Sequence, residues 1–316
     1  MRRRDLITLL GGTAAAWPLR AFSQSQSKVH RVGLLGLVDD KSPFEAPLIR
    51  GLARHGYDID RNLTIERRAP SLVAELVASK VEVIVAVGYA AAMAAKQGTT
   101  LPAVAFSAGD PVGIGLVESL ARPGGHITGI SDVSVEVTPK RLQLLKEFAP
   151  KLRRVAMLWN ASNPGMTLRY RAAEAGAKAL GIDVEPLGVS EPADFKQAFE
   201  EMNRSMPDAI LMVSDTLTNL NRESVFEFTV RHRLPAIYEY DYIVRDGGLM
   251  SYGLDLDEAF DRIGALVDRI IKGASPAELP FEQPTHFVFA FNLGTAGAIG
   301  FKPTASLLAR ADEVIE

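Results

Sequence analysis

A glycine-rich stretch, Gly-Asp-Pro-Val-Gly-Ile-Gly at positions 109–115, is the first feature of the sequence that could bind a ligand through its backbone. A dinucleotide fingerprint needs a third glycine where this chain has Glu118, and the Gly-Lys-Ser/Thr of a P-loop is absent. Asp110 is a good N-cap and Pro111 suits a first helical position, so we expect a helix that starts at Pro111. The glycines would let the backbone approach a ligand or another part of the fold, and Asp110 could serve as a cap alone or also contact a ligand amine.

Polar and small residues also follow three other apolar runs of the sequence. They are Gly88, Tyr89 and Ala90, then Asn160 and Ser162, then Ser214 and Asp215. Ligands of doubly wound sheets bind at the carboxyl ends of strands, so these residues predict a binding cleft. Capping and turn formation alone could also explain each of them, as Asn163 before Pro164 illustrates.

The sequence contains no recognisable reaction centre. The five histidines show no metal-ligand spacing, no Gly-x-Ser-x-Gly elbow occurs, and the absence of cysteine excludes thiolate chemistry and disulfides. Four of the seven tyrosines fall between positions 238 and 252, where Tyr238 and Tyr252 could form an aromatic wall or simply pack. We therefore expect a binding protein with no enzymatic activity, no cofactor and no metal.

Short apolar runs alternate with helical patterns along the chain. The runs predict eight strands, at 31–37, 63–67, 83–87, 103–106, 155–159, 183–187, 209–213 and 236–238. Most are rich in Val, Ile and Leu, as in parallel strands that are covered by helices on both faces. Leu256, Phe260, Ile263, Val267 and Ile270 form one apolar face of a helix capped by Asp255. The alternation predicts doubly wound α/β lobes, and the Gly-rich segments 122–139 and 245–256 are the candidate crossovers between them.

Composition limits the classes of partner. The chain has 316 residues, 47% of them hydrophobic, which is enough for about two domains. The formal net charge of −3 offers no broad basic surface for nucleic acid. No apolar run reaches the roughly 18 residues of a membrane span, so we expect no stable membrane insertion.

The N-terminus has the pattern of an export signal. A basic start precedes an uncharged stretch from Leu6 to Leu19, and a small-x-small pattern ends at Ser23. The order Arg3-Arg4-Asp5-Leu6-Ile7 favours the twin-arginine route, and the Sec route stays open. We predict a signal peptide at 1–23, removed near Ser23, and a periplasmic protein.

Several segments resemble one family, the ABC transporter substrate-binding proteins of the tryptophan/tyrosine type. They include "ELVASKVEVIVAVG", "GDPVGIGLVESLARPGGHITGIS", "KRLQLLKEFAPKLRRVAMLWNASNPG", "GGLMSYGLDLDEAF" and "PTHFVFAFNLGTAGAIG". The likeness covers nearly all of the chain after the signal. His126 replaces the asparagine that is usual in the glycine-rich block.

The resemblance implies a periplasmic binding protein type I fold, with one lobe at 28–128 plus 253–280 and the other at 129–252 plus 281–316. It implies one small-molecule ligand in the cleft of a monomer, with a membrane permease and its ATPase as partners. Carried over by position, the contacts would come from Gly88, Tyr89, Ala90, Asp110, Asn160, Ser162, Ser214, Asp215, Tyr238 and Tyr252. The leading ligand class is an amino acid or a related aromatic or amide compound.

The chain departs from the family pattern beside the expected pocket. The loop "VDDKSPFEAP" is shortened and altered, about eight residues are missing after "IERR", and Tyr89 stands where a small polar residue is common. Leu254 replaces the threonine of a Tyr-Gly-Thr-Asp-Leu pattern.

We expect a solute-capture protein whose cleft closes by hinge motion. A protein that senses a ligand and signals through a receptor is the alternative, and partner identity would distinguish them.

Overall fold

The computed structural model describes residues 28–36, 42–106 and 109–316. The predicted signal peptide and the loop residues Ser107 and Ala108 lie outside this part of the chain. Within it, the strands form two sheets. The predicted α/β architecture with two parallel-sheet lobes is confirmed.

The first sheet has five parallel strands in the order β2-β1-β3-β4-β5. These are β1 (His30–Leu35), β2 (Leu63–Arg68), β3 (Val83–Val87), β4 (Ala103–Phe106) and β5 (Ile127–Ile130). Every residue of β3 is buried. Its valines Val83, Val85 and Val87 pack into one apolar cluster, while Ile84 and Ala86 pack into another on the opposite face. Burial on both faces explains why this strand is a continuous apolar run.

The second sheet has seven strands in the order β12-β11-β10-β9-β8-β6-β7. They are β6 (Arg154–Asn160), β7 (Asp183–Val189), β8 (Ala209–Met212), β9 (Ala236–Tyr238), β10 (Met250–Leu254), β11 (Phe287–Asn292) and β12 (Glu313–Ile315). All neighbours are parallel except β10 and β11, which are antiparallel. Apolar clusters again lie on both faces of this sheet.

Helices cover both sheets. They are α1 (Glu45–Arg54), α2 (Val73–Ala78), α3 (Tyr89–Gly98), α4 (Ser134–Phe148), α5 (Pro164–Ala179), α6 (Asp194–Arg204), α7 (Thr216–Leu220), α8 (Arg222–His232), α9 (Asp241–Arg245), α10 (Leu256–Ile271), α11 (Leu293–Ala298) and α12 (Ala305–Leu308). Short 3₁₀ turns occur at Pro70–Leu72 and Pro276–Glu278. The helix predicted after Asp255 is confirmed as α10. The Asp255 carboxylate caps it by accepting hydrogen bonds from the amides of Asp257 and Glu258.

The α1–α10 pair in the first lobe packs through glycines. A Cβ on Gly51 would lie 2.1 Å from the Phe260 carbonyl oxygen, and one on Gly264 would lie 2.6 Å from the Gly51 carbonyl oxygen. The two backbones are therefore in direct contact, which only residues without a side chain allow.

Asp268 near the end of α10 connects this helix to Tyr57, in the segment that follows α1. It accepts hydrogen bonds from Tyr57 Oη at 2.8 Å and from Lys272 Nζ at 2.7 Å. Burial by itself would raise the pKa of this carboxyl group, but the bonds from Lys272 and Tyr57 outweigh burial and hold the pKa below its ordinary value of 3.8.

The chain passes between the two sheets three times. It leaves the first sheet after β5, returns from β10 into α10 at Asp255, and passes back at residues 282–286 into β11. Ile130 and Glu282 form a parallel bridge where two of these passages run side by side. The Gly-rich segments expected to be crossovers thus contain β5 and β10 as well as connecting chain.

Candidate functional site

A cavity of about 640 Å³ lies between the two sheets. Residues at or just after the ends of six strands line it, namely Gly36 (β1), Ala69 and Pro70 (β2), Gly88 (β3), Asn160 (β6), Ser214 (β8) and Tyr240 (β9). Small-molecule sites have volumes of roughly 300–1,000 Å³. The position matches the rule that open α/β sheets bind ligands at the carboxyl ends of their strands.

The wall from the first lobe is built on the start of α3. Gly88 has φ +85°, a conformation that favours glycine, and it provides no capping side chain for this helix. The first amide groups of a helix have no partner within the helix. Because Tyr89, Ala90 and Ala91 line the cavity, these N–H groups and the positive end of the helix dipole are available to an anionic group of a ligand.

The wall from the second lobe is held by three interlocked polar side chains. The Asp215 carboxylate accepts hydrogen bonds from Asn160 Nδ2 and Asn163 Nδ2, both at 2.8 Å, and from the Leu217 amide at 2.9 Å. Asn163 in turn caps α5 through the Gly165 amide at 3.0 Å. These bonds fix the orientation of the Asp215 carboxylate at the cavity wall.

The cavity carries one negative charge in the part of the chain that the structure describes. Asp215 is the only acidic residue among the lining residues, and no lysine, arginine or histidine joins it. A dianionic ligand would meet this charge without a cationic side chain to balance it. A zwitterion fits better, because its ammonium group can face Asp215 while its carboxylate takes the α3 amide groups.

Aromatic rings form one side of the cavity. Phe44 and Tyr240 both line it, with ring centroids 6.2 Å apart in an edge-to-face arrangement. Tyr240 stacks on Tyr242 at 5.7 Å, and Phe44 contacts Phe106 at 5.9 Å, so the cores of the two lobes support both rings. An apolar or aromatic ligand side chain would find a preformed surface here.

Directly behind the cavity wall lies a buried ionic cluster that consists of Asp132, Arg141, Arg169 and Glu239. Glu239 accepts hydrogen bonds from Arg141 Nη1 at 2.9 Å, Arg169 Nη1 at 2.7 Å and the Ser214 amide at 2.9 Å. Arg169 also pairs with Asp132. The cluster therefore joins a residue of the cavity wall, Ser214, to the segment where the chain first crosses between lobes.

The two arginines of this cluster differ in their surroundings. Burial lowers the pKa of Arg141, and the charge of Glu239 only partly offsets it. Burial acts on Arg169 as well, but the charges of Asp132 and Glu239 raise its pKa above the ordinary value. Arg169 contacts two carboxylates and Arg141 one, which explains the opposite directions.

Seven of the ten predicted site residues line the cavity. They are Gly88, Tyr89, Ala90, Asn160, Ser162, Ser214 and Asp215. That they contact a ligand stays a prediction.

The structure places Tyr238 and Tyr252 away from the cavity. Tyr238 is fully buried on β9, where its ring packs edge-on against Phe226 at 5.5 Å. Tyr252 stacks on Phe287 at 5.8 Å, and its carbonyl oxygen accepts a hydrogen bond from Arg141 Nε at 2.7 Å. Tyr238 is the last residue of β9, but its side chain packs into the apolar cluster on one face of the sheet. Tyr252 lies in the middle of β10.

Asp110 does not line the cavity either, and the helix predicted at Pro111 is wrong. Residues 111–115 form turns, and bends lie on either side of them. Asp110 does cap, since its carboxylate accepts hydrogen bonds from the amides of Val112 at 3.1 Å and Gly113 at 3.0 Å. Gly115, at φ +69°, ends the turn before a helix can develop.

The neighbouring Gly109 lies against Gly165, because a Cβ on Gly109 would be 3.2 Å from the Gly165 Cα. Glycine here allows the two lobes to approach.

Sequence reasoning missed several cavity residues, notably Phe44, Met166, Asn219 and Tyr240. Tyr240 belongs to the tyrosine-rich segment, which therefore did carry a signal. Tyr240 lines the cavity and Tyr238 does not, a difference that depends on where β9 ends, at Tyr238. Phe44 lies in the altered loop, and Asn219 is four residues beyond the predicted Asp215.

Two searches of the described residues bear on other kinds of site. No group of three or more His, Asp or Glu residues in these ranges is arranged to hold a metal ion. Likewise, none of the helices in the described ranges has both the length and the apolar character needed to cross a bilayer.

Several known proteins are similar to this chain. The chain is 26% identical over 265 residues to a tyrosine-binding protein of Clostridioides difficile, which covers 80% of this chain and 76% of the relative. A solved structure from Streptococcus pneumoniae, an ABC domain in complex with L-Trp, has a TM-score of 0.82 at 25% identity and covers 91% of this chain and 100% of its own. A domain protein from Vibrio cholerae has a TM-score of 0.84 at 22% identity with the same coverage, which shows the fold.

The family model of the ABC transporter substrate binding proteins matches residues 47–315. That range includes both sheets apart from β1, and every cavity residue except Gly36 and Phe44. The chain therefore belongs to the family of ABC transporter substrate binding proteins.

Proposed function

We propose that this protein captures a zwitterionic aromatic amino acid in the cavity between its lobes and delivers it to a membrane permease. The observation that carries the proposal is the charge and shape of the cavity. One carboxylate, one uncapped helix start and two supported aromatic rings face the same space. The relatives that bind tyrosine and L-Trp support an aromatic amino acid as the ligand.

Each part of the ligand has a complementary group in the proposed complex. The α-carboxylate accepts hydrogen bonds from the amide groups at the start of α3, where the helix dipole favours negative charge. The α-ammonium group donates to Asp215, which can accept further bonds because a carboxylate has about four lone-pair sites. The aromatic ring packs against Phe44 and Tyr240.

The proposed transport cycle uses the three passages of the chain between the sheets as a hinge. The moving lobes would be 28–128 plus 253–280 and 129–252 plus 281–316. A ligand that contacts both walls favours the closed form, because it gains contacts there that the open form does not provide. After export directed by the signal peptide at 1–23, the closed form is recognised in the periplasm by the permease, which acts together with its ATPase.

Isothermal titration calorimetry of the purified protein tests the ligand class. L-Trp, L-Tyr and L-Phe are compared with L-Glu, succinate and glucose. We expect binding of aromatic amino acids only. Asp215→Asn keeps a side chain that can cap α7 but removes the charge, so it should weaken binding by about 10- to 100-fold, the value of a hydrogen bond to a charged group.

Asp110→Asn is the matched control. It makes the same chemical change in a cap outside the cavity, and affinity should stay within about threefold of wild type, in line with a surface substitution. Preferential binding of a dicarboxylate or a sugar would contradict the proposal. So would equal losses in the two variants.

A further inference from the structure

Two buried polar side chains of the cavity wall have no hydrogen-bond partner within the protein. Ser214 is 4% exposed and Asn219 is 6% exposed, and neither Ser214 Oγ nor Asn219 Oδ1 is bonded. Among the described residues, the other side chains with such an atom do not line the cavity; they are Trp159, Arg169, Tyr238, Tyr242 and Ser251. Buried polar atoms are rarely left unpaired. Both oxygens are enclosed in this form of the protein, so each side chain would reach a ligand in the cavity by rotating toward it.

The local structure satisfies the backbone of these residues and leaves their side chains free. The Ser214 amide donates to Glu239, and the Asn219 amide donates to the Asp215 carbonyl oxygen at 2.9 Å. The Asn219 carbonyl oxygen accepts from Arg222 Nη1 at 2.7 Å. Thr218, between them in sequence, directs its hydroxyl to the Val213 carbonyl oxygen at 2.7 Å and so closes the turn without using either side chain.

The chemistry of the pair selects a neutral partner. A hydroxyl and a carboxamide offer acceptors and donors without charge. The carboxylate behind Ser214, that of Glu239, is already paired with two arginines. The neighbouring Asp215 carboxylate is the proposed partner of the ligand's ammonium group, so the neutral donor is left to Ser214 and Asn219. Tyr240 follows Glu239 directly in the chain and lines the same cavity.

We propose that Ser214 and Asn219 form a polar subsite for the hydrogen-bond donor on the ligand's aromatic ring, a phenol O–H or an indole N–H. The subsite rests on the proposed function and adds to it a basis for selecting Tyr or Trp over Phe. The α-carboxylate and α-ammonium groups bind elsewhere, at the start of α3 and at Asp215.

Calorimetry with L-Tyr and L-Phe tests the subsite in the wild-type protein and in Asn219→Leu and Ser214→Ala. Wild type should bind L-Tyr at least about tenfold more tightly than L-Phe, because loss of the hydroxyl leaves buried polar atoms unpaired. Each variant should weaken L-Tyr by about tenfold and change L-Phe by less than about threefold. Thr216→Ala, which removes an exposed hydroxyl from the same cavity wall, should keep the preference.

Equal losses for L-Tyr and L-Phe would overturn the subsite, since the pair would then serve the common head group. An absent preference in wild type would overturn it as well, and this measurement needs no variant that must fold.

Fragments separate the subsite from the proposed function. Ligand-observed NMR compares p-cresol with toluene, which lack the amino acid head group. Preference for p-cresol that disappears in Asn219→Leu supports the subsite even if no amino acid binds, in which case only the proposed function fails. Equal binding of the two fragments by wild type overturns the subsite, whether or not L-Tyr binds.

Discussion

Replacement of Glu239 by glutamine should destabilise the second lobe far more than an ordinary loss of charge. Glu239 is 1% exposed and forms ion pairs with both Arg141 and Arg169, which are 2% and 0% exposed. The substitution keeps the shape of the side chain. It removes the carboxylate that pairs with Arg141 and leaves Arg169 with its ion pair to Asp132. It also directs an amide N–H₂ toward the guanidinium donors.

The magnitude follows from the burial of every partner. Removal of one member of a buried ion pair typically costs about 3–5 kcal/mol, because the other charge stays desolvated and uncompensated. Glu313→Gln is the matched control. It breaks an ion pair with Arg245 in which the side chains are 30% and 52% exposed, so its cost should be below about 1 kcal/mol.

Urea unfolding followed by tryptophan fluorescence provides the assay. The sequence has two tryptophans, and removal of the predicted signal leaves Trp159, which stacks on Tyr170 at 4.5 Å in the second lobe. Its transition should shift strongly to lower urea in Glu239→Gln and little in Glu313→Gln. A cost below about 1 kcal/mol in Glu239→Gln would refute the view that this cluster holds the cavity wall to the crossover segment.

Three further predictions concern the first lobe. Gly264→Ala should cost about 1–3 kcal/mol in urea unfolding because its methyl group would overlap Gly51, whereas Gly297→Ala should be neutral or stabilising, since a Cβ on this exposed glycine would meet no atom within 4 Å apart from its chain neighbours and its own helix. The reverse order would show that α1 and α10 do not pack backbone to backbone. Wild type should have a higher free energy of unfolding than Asp268→Asn above pH 3.8, and this difference should shrink as pH falls through the lowered pKa of Asp268 in the folded protein. A difference that grows on acidification would contradict the hydrogen bonds assigned to Asp268. The methyl group of Gly88→Ala would meet open space, but the substitution forces alanine to φ +85°, so it should cost about 1 kcal/mol of stability and weaken ligand binding in calorimetry. An unchanged affinity would argue against contact between α3 and the ligand.

Glycine-rich segments show where sequence reasoning about the fold reached its limit. The eight strands predicted from apolar runs are present, with bounds within two residues. β5 and β10 lie in the two Gly-rich segments that the sequence predicts to be crossovers. A Cβ on Gly129 would lie 2.0 Å from the Ala105 carbonyl oxygen, and one on Gly253 would lie 1.9 Å from the Glu239 carbonyl oxygen. These glycines allow neighbouring backbone to approach closely, a cause that cannot be read from one chain alone.

The same limit applies to the candidate site. The rule that ligands bind beyond strand ends brought Gly88, Asn160 and Asp215 to one cavity. It did not distinguish Tyr238 from Tyr240, because the choice depends on where β9 ends. The four members of the ionic cluster come from distant parts of the sequence, and only the fold shows that they meet.

A crystal structure of the protein with L-Tyr would show whether the cavity holds an aromatic amino acid in the proposed orientation. We expect ligand density in the cavity between the sheets, with the carboxylate at the amides of Tyr89–Ala91 and the ammonium group within hydrogen-bond distance of Asp215. The ring should pack against Phe44 and Tyr240. A ligand bound outside this cavity, or bound with its carboxylate toward Asp215, would show that the proposed binding mode is wrong.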